Sequence, residues 1–286
     1  MSTIVTNQPE AKFTLRLLSG KFGAEITGID LRYPIDFATR QEIWDAFVRH
    51  QLLCFRDQSL SGDEQIAFTE QFGTLERHTI RNRGAGNPLL NTVSNLDADG
   101  KPTGRLANQL WHSDKSFRPE PCSATILHAV TMPPEGGDTC FADMHAAYDA
   151  LPETEKAVLE HIRVIHSWEL SLAKSGKQAT AEEIADAPAM AHPLVRIHPD
   201  SGRKALFMGE HASHFDDQAM EIGRARLAAL EAHATAEEFV YRHTWQAGDL
   251  LMWDNRCLLH RAEPNFDTAR HPRVLHRTCL RGSRPA

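Results

Sequence analysis

The stretch Phe239-Val-Tyr-Arg-His-Thr-Trp-Gln-Ala-Gly-Asp-Leu-Leu-Met-Trp-Asp-Asn255 reads as strand, turn, strand, with Ala247-Gly248 breaking two runs of aromatic and branched residues. The same pattern recurs upstream. ATILHAV at 124–130, DTCFADM at 138–144, IRVIHSW at 162–168, LVRIH at 194–198 and KALFMG at 204–209 are short runs separated by turn formers such as Pro199-Asp-Ser-Gly202. FTLRLLSG and FGAEITGIDL near the start add two strands ending in glycine turns, and LLCF at 52–55 is a buried strand. Helical spacing is confined to a few places. Residues 39–51 carry Ile43, Trp44, Phe47 and Val48 on one face, Ser61-Gly-Asp-Glu64 is a capping box ahead of Ile66, Phe68 and Phe72, and a third helix covers 221–234. Many short strands with few helices predict a mainly β, double-sheet architecture with flanking helices rather than a parallel sheet.

The 286 residues contain no repeat, low-complexity tract or Pro/Ser-rich linker, so a single domain over 1–286 is expected. Segments 76–108 and 168–190, the second polar and alanine-rich without strand signal, are candidate lids. A net charge of -7 provides no global attraction to nucleic acid or an anionic membrane, which leaves a small molecule as the expected partner. Five scattered cysteines without a CxxC pair point to reduced thiols in the cytoplasm, and the start lacks the basic and apolar regions of a secretory signal. No run of about 18 apolar residues is present to span a membrane. The oligomeric state is open, and a homo-oligomer is compatible with the chain. Histidine stands out: sixteen of them direct attention to metal ligation and acid–base chemistry.

His-x-Asp places two donors on one face of a strand, and a distant third ligand then completes one face of an octahedron. Two histidines and one carboxylate leave three positions open, as iron(II) oxygenases require. The tripeptide occurs three times. His198-Pro-Asp200 runs into Asp-Ser-Gly and reads as a turn; His214-Phe-Asp216 lies before a helix that Asp216 could cap. In His112-Ser-Asp114, within LWHSDKSF, a strand would point His112, Asp114 and Ser116 one way and Trp111, Ser113 and Lys115 the other. His260, after the apolar run LLMWDN, is the third candidate ligand, against the bland alternative of a buried histidine satisfied by one hydrogen bond.

Taken together, Trp111-His-Ser-Asp114, Gly136-Gly-Asp-Thr139, Trp253-Asp-Asn-Arg256 with His260, and Arg273 resemble the taurine/2-oxoglutarate dioxygenase family. ANQLWHSD at 107–114, FADMHAAYDALP at 141–152, SGRKALF at 201–207, HASH at 211–214 and GDLLMWDNRCLLHR at 248–261 are most similar to its branch acting on aryloxyalkanoates such as 2,4-dichlorophenoxyacetate. The resemblance covers most of the chain. It implies a double-stranded β-helix (jelly roll), Fe(II) bound by His112, Asp114 and His260, and 2-oxoglutarate and O2 as co-substrates. Arg273 and the Thr139 hydroxyl would hold the far carboxylate of 2-oxoglutarate, a role that suits the planar, permanently charged guanidinium.

On a strand, Arg273 and Arg277 would share a face about 13 Å apart, at ~3.3 Å per residue. Two inward cations near one metal favour an anionic substrate, since burying them without anions is costly. The resemblance places His78, Asn108 and Arg277 at positions touching the substrate's anionic or polar end. Arg81 stands where the taurine enzyme has a tyrosine near the amine, which argues against taurine, and Ala212 where it has a phenylalanine, which leaves room for a bulkier group. HASH matches the aryloxyalkanoate branch and makes His211 and His214 candidate pocket residues. The reaction expected is hydroxylation of a C–H bond of a small carboxylate, with an aryloxyalkanoate collapsing to a phenol and an oxo acid. An alkylsulfonate or N-acyl amino acid hydroxylase is the alternative within the family. A zinc hydrolase or a non-catalytic small-acid barrel lies outside it, and leaves Thr139 and Arg273 without a purpose.

Overall fold

The two strands read from 239–255 both form, and the turn between them carries the chain from one sheet to another. In this computed structural model, which describes residues 12–18, 20–77, 86–174 and 176–286, the larger sheet has seven strands. Their order is β1 (Thr14–Leu17), β2 (Ala24–Thr27), β3 (Leu52–Phe55), β13 (Leu250–Asp254), β5 (Cys122–Thr131), β15 (Val274–Arg281) and β4 (Asn91–Ser94). All neighbours are antiparallel except β2 and β3. A three-stranded sheet follows the order β12 (Val240–His243), β6 (Thr139–Asp143), β14 (Leu258–Ala262). Another follows β11 (Ala212–Phe215), β7 (Arg163–His166), β8 (Met190–Pro193), and β9 (Val195–Ile197) pairs with β10 (Lys204–Leu206). The expected jelly roll is the architecture found.

Strand β13 shows why its sequence is apolar throughout. Leu251 and Trp253 enter the core between the sheets, with Phe141 of β6, Leu259 of β14, Val164 of β7 and Leu275 of β15. Leu250 and Met252 turn to the outer face, where they pack with Ile43 and Phe47 of α1 (Phe37–His50) and Phe68 of α2 (Gly62–Glu70). A strand covered on both faces needs no alternation. Helix α2 opens on the predicted capping box, with Ser61 and Glu64 satisfying each other's backbone N–H. Helix α1 starts at an Asp36 cap, two residues before the expected start, and ends where Gln51 takes φ +66°.

Two expectations about local structure change. The segment 168–190 contains two helices, α5 (Trp168–Lys174) and α6 (Ala181–Asp186), the latter opened by a Thr180/Glu183 capping box. Two more, α3 (Met144–Asp149) and α4 (Glu153–Leu159), follow β6. Asp216 does not cap the following helix, α7 (Met220–Ala234), whose cap is Ala219; Asp216 instead donates its backbone N–H to the Arg163 carbonyl. His198-Pro-Asp200 is a turn, as expected, with His198 Nδ1 accepting from the backbone of Asp200 and Ser201.

Candidate active site

LWHSDKSF is not a strand. His112 makes a single antiparallel bridge with His260, each donating its backbone N–H to the other's carbonyl at 3.0 and 2.8 Å, and the chain then turns through Lys115 at φ +53°. The same-face spacing of a strand therefore does not bring His112 and Asp114 together. The bridge to β14 places His112, and Asn255 places Asp114 by accepting its backbone N–H at 3.2 Å. The result is nevertheless the predicted cluster: donor atoms of His112, Asp114 and His260 lie within 4.8 Å of one another, all three buried.

The chemistry of this donor set fits a divalent metal. His112 Nδ1 sits 2.8 Å from the Leu110 carbonyl, which can only accept, so Nδ1 carries the proton and Nε2 is left as a ligand. His260 is packed between rings, 4.1 Å from His112 and 4.6 Å from Trp253 by centroid. Burial and the neighbouring His112 hold His260 neutral, far below the usual histidine range. Burial alone would raise the Asp114 pKa, but the Arg277 charge, helped by the Thr125 hydrogen bond, outweighs it and keeps the carboxylate ionised. Two imidazoles and one carboxylate are the donors an iron(II) oxygenase uses.

Arg273 and Thr139 also meet. Arg273 is 3% exposed; its Nε donates to the Gly137 carbonyl at 2.9 Å and its Nη2 to Thr139 Oγ1 at 3.3 Å. Trp245 Nε1 donates to the same hydroxyl at 3.0 Å. Gly136 and Gly137 both take φ +73°, and a Cβ on Gly137 would press on the Arg273 side chain at 3.3 Å. All these partners are neutral, and no described carboxylate stands within ion-pair distance of Arg273. Burial lowers the guanidinium only to about 10, opposed by the charge of Asp138 from beyond ion-pair distance, so the buried cation has no carboxylate in direct contact among the described residues. A ligand carboxylate fits that deficit. Thr139 pairs with Ala262 and Phe141 with His260 along β6 and β14, so the hydroxyl that meets Arg273 and the His260 ring lie on adjacent strands.

A cavity of about 580 Å³ opens on this cluster. His112, Asp114, Asn108, His211 and Arg277 line it, together with Phe117 and Trp168. Arg277 Nη1 donates to Asp114 Oδ1 at 2.9 Å, and Asn108 stands at φ +61° with its carbonyl accepting from Ala262 N–H. His211 is pushed to about 3 by burial and by His112, and its Nδ1 has no partner among the described residues. The Phe117 ring lies 5.0 Å from Trp168, tilted, and 4.9 Å from His211, edge-on. His214 does not join them: it faces Gly223 of α7, whose Cβ would meet His214 Cβ at 3.2 Å. Ala212, buried in β11, is also outside the lining. His78 and Arg81 lie outside the described residues.

Sequence reasoning missed Phe117, Trp168, Thr125 and Asn255. Only the aromatic pair carried a signal, as bulky residues beside the His-x-Asp and strand motifs. Two other buried groups, His198 with Asp254 and Cys257, and His243 with Asp249 and Cys54, have ligand-like spacing. Both are closed by their own hydrogen bonds, His198 to Asp254 at 2.9 Å and His243 to Asp249 at 3.0 Å. All five cysteines are buried and unpaired, as expected.

The description "Taurine catabolism dioxygenase TauD, TfdA family" matches residues 14–279. The chain is 44% identical over 253 residues to an alpha-ketoglutarate-dependent 2,4-dichlorophenoxyacetate dioxygenase of Cupriavidus pinatubonensis, covering 84% of this chain and 88% of that protein. It is 40% identical over 276 residues to one of the same name from Burkholderia sp., covering 92% of each. The crystal structure of AAD-2 in complex with Mn(II) and N-oxalylglycine superposes with a TM-score of 0.86 at 38% identity, covering 96% of this chain and 98% of that one. The chain belongs to the taurine catabolism dioxygenase TauD, TfdA family and is, by class, a 2-oxoglutarate-dependent non-haem iron dioxygenase.

Proposed function

We propose that this dioxygenase hydroxylates the carbon beside the ether oxygen of an aryloxyalkanoate, releasing a phenol and an oxo acid. In this reading His112, Asp114 and His260 hold Fe(II), and Arg273 with Thr139 holds the far carboxylate of 2-oxoglutarate. The observation that carries it is the position of Arg277. This second cation shares one cavity with His112 and Asp114 of the proposed metal cluster and with the rings of Phe117, Trp168 and His211. One cavity thus offers a fork for a carboxylate, an aromatic wall for an aryl group, and a proposed metal site beside them. The one name shared by the two relatives agrees with that chemistry.

When bound, ferrous iron and 2-oxoglutarate supply oxygen activation coupled to decarboxylation of the co-substrate. The chain's contribution is placement. Arg277 fixes the substrate carboxylate, which leaves the adjacent carbon as the group nearest the metal cluster. The Phe117–Trp168–His211 wall fixes the ring, and His211, being neutral, adds no second cation to it. Asn108 offers a polar contact on the same wall. Trp168, Ser171 and Leu172 of α5 and Lys177 beyond it line the cavity, which supports 168–190 as the cover that excludes water. Reduced buried thiols support a cytoplasmic location, and no helix of the described residues is long and apolar enough to cross a membrane.

The test is succinate formation in air with Fe(II), ascorbate and 2-oxoglutarate across aryloxyalkanoates, alkylsulfonates and N-acyl amino acids. Phenol release matching succinate is the expected result. Sulfite release, or hydroxylated acyl amino acid without phenol, would replace the substrate class; absence of succinate with every substrate would remove the reading.

A further inference from the structure

The carboxylate of Asp114 is held by a chain of hydrogen bonds whose direction can be worked out from donor chemistry. Trp253 Nε1 donates to Asn255 Oδ1 at 3.1 Å, and Asp114 N donates to the same oxygen at 3.2 Å. Both are groups that can only donate, so the amide orientation of Asn255 is fixed, with Nδ2 on the other side. That Nδ2 donates to Thr125 Oγ1 at 2.8 Å. Thr125 must therefore accept from Asn255, which commits its single hydroxyl proton to Asp114 Oδ2 at 2.7 Å. Ser113 Oγ closes the group by donating to the Asn255 carbonyl at 2.8 Å. Asn255 and Thr125 are 1% and 0% exposed, so water does not substitute for any of these bonds.

We propose that Asn255 and Thr125 are positioning residues that fix the orientation of the Asp114 carboxylate for the metal. The physical reason is rotational. A carboxylate on two single bonds swings freely unless both oxygens are held; Arg277 holds Oδ1 from the cavity side and Thr125 holds Oδ2 from the sheet. The Arg277 contact faces the substrate site, whereas the Thr125 contact comes from β5 in the middle of the larger sheet. The relay therefore orients the ligand independently of what occupies the cavity. Trp253, which starts the relay, also packs on His260, so one indole backs two of the three donors.

The inference rests on the metal reading of His112, Asp114 and His260, and the experiment separates the two. Co(II) is titrated anaerobically into the full-length protein, with and without 2-oxoglutarate, and binding is followed by its visible absorption. Thr125→Val keeps the side-chain shape without the hydroxyl and should weaken Co(II) affinity by about 10–100-fold, with an altered absorption envelope. Thr125→Ser should restore both, which a packing role would not do. Asn255→Ala should match Thr125→Val; if it fails to fold, the Thr125 pair decides alone. Wild-type affinity and an unchanged spectrum in Thr125→Val would overturn the relay. Wild-type protein binding Co(II) no better than His112→Ala would instead overturn the metal reading beneath it.

Discussion

Arg277 and Asp114 form an ion pair at 2.9 Å inside the cavity, joining the cation proposed for the substrate to a proposed metal ligand. Burial alone would weaken the Arg277 charge, but Asp114 more than compensates, and the guanidinium is held firmly protonated. Its buried Nε has no partner among the described residues, and a fifth of the side chain is exposed. Asp114 therefore keeps Arg277 aimed at the cavity while leaving donors for an incoming anion. The pair is also the reason an arginine is tolerated there, since a lone buried guanidinium would be costly.

Replacing Arg277 with leucine removes that fork. Losing one partner of a buried charged pair costs on the order of 2–5 kcal/mol. For an aryloxyacetate this corresponds to a drop in kcat/KM of at least about 30-fold by the tenfold-per-1.4 kcal/mol rule. Consumption of 2-oxoglutarate without substrate should fall much less. Steady-state assays of both reactions check this, and equal losses would count against a substrate contact.

His112→Ala and Asp114→Ala should each eliminate iron-dependent succinate formation, because two ligands rarely retain a ferrous ion in an open site. Retained turnover in either variant, measured after chelation and reloading, would contradict the ligand assignment.

Arg273→Leu deletes a buried cation whose partners here are the Gly137 carbonyl and the Thr139 hydroxyl. The KM for 2-oxoglutarate should rise by about 100-fold, as expected for losing a charge-assisted bidentate contact worth ~3 kcal/mol. The KM for the aryloxyalkanoate should change little. An unchanged 2-oxoglutarate KM would refute the clamp.

Metal-free protein should lose thermal stability between pH 7 and pH 5. Burial lowers His192 to about 4 and also depresses His128, His145 and His166, all of which the fold holds neutral. A histidine with a depressed folded pKa stabilises the protein fully above its unfolded value of about 6.5, and that contribution is lost as pH falls toward the folded value. His192 alone accounts for on the order of 1–2 kcal/mol by pH 5. His192→Gln, which keeps a donor for the Arg118 carbonyl, should show a smaller decline in Tm over this range. A flat wild-type profile would show that these histidines are not held neutral.

The sequence by itself determined the β character, the helices α1, α2 and α7, and the residue types of the proposed metal cluster. These features are local: apolar runs bounded by turn formers, caps three residues apart, and ordered motifs are written along the chain. It misjudged 168–190, although Thr180-Ala-Glu-Glu183 carries the same capping box as Ser61-Gly-Asp-Glu64. Tertiary structure alone decided how the ligands meet. His112 and Asp114 do not share a strand face; a reciprocal bond to His260 and an amide from Asn255 bring them together, over 148 and 141 residues of chain. It also sorted two histidines of one tetrapeptide, sending His211 to the cavity and His214 against α7. Contacts between residues so far apart depend on which sheets pack together, and a linear pattern carries no record of that.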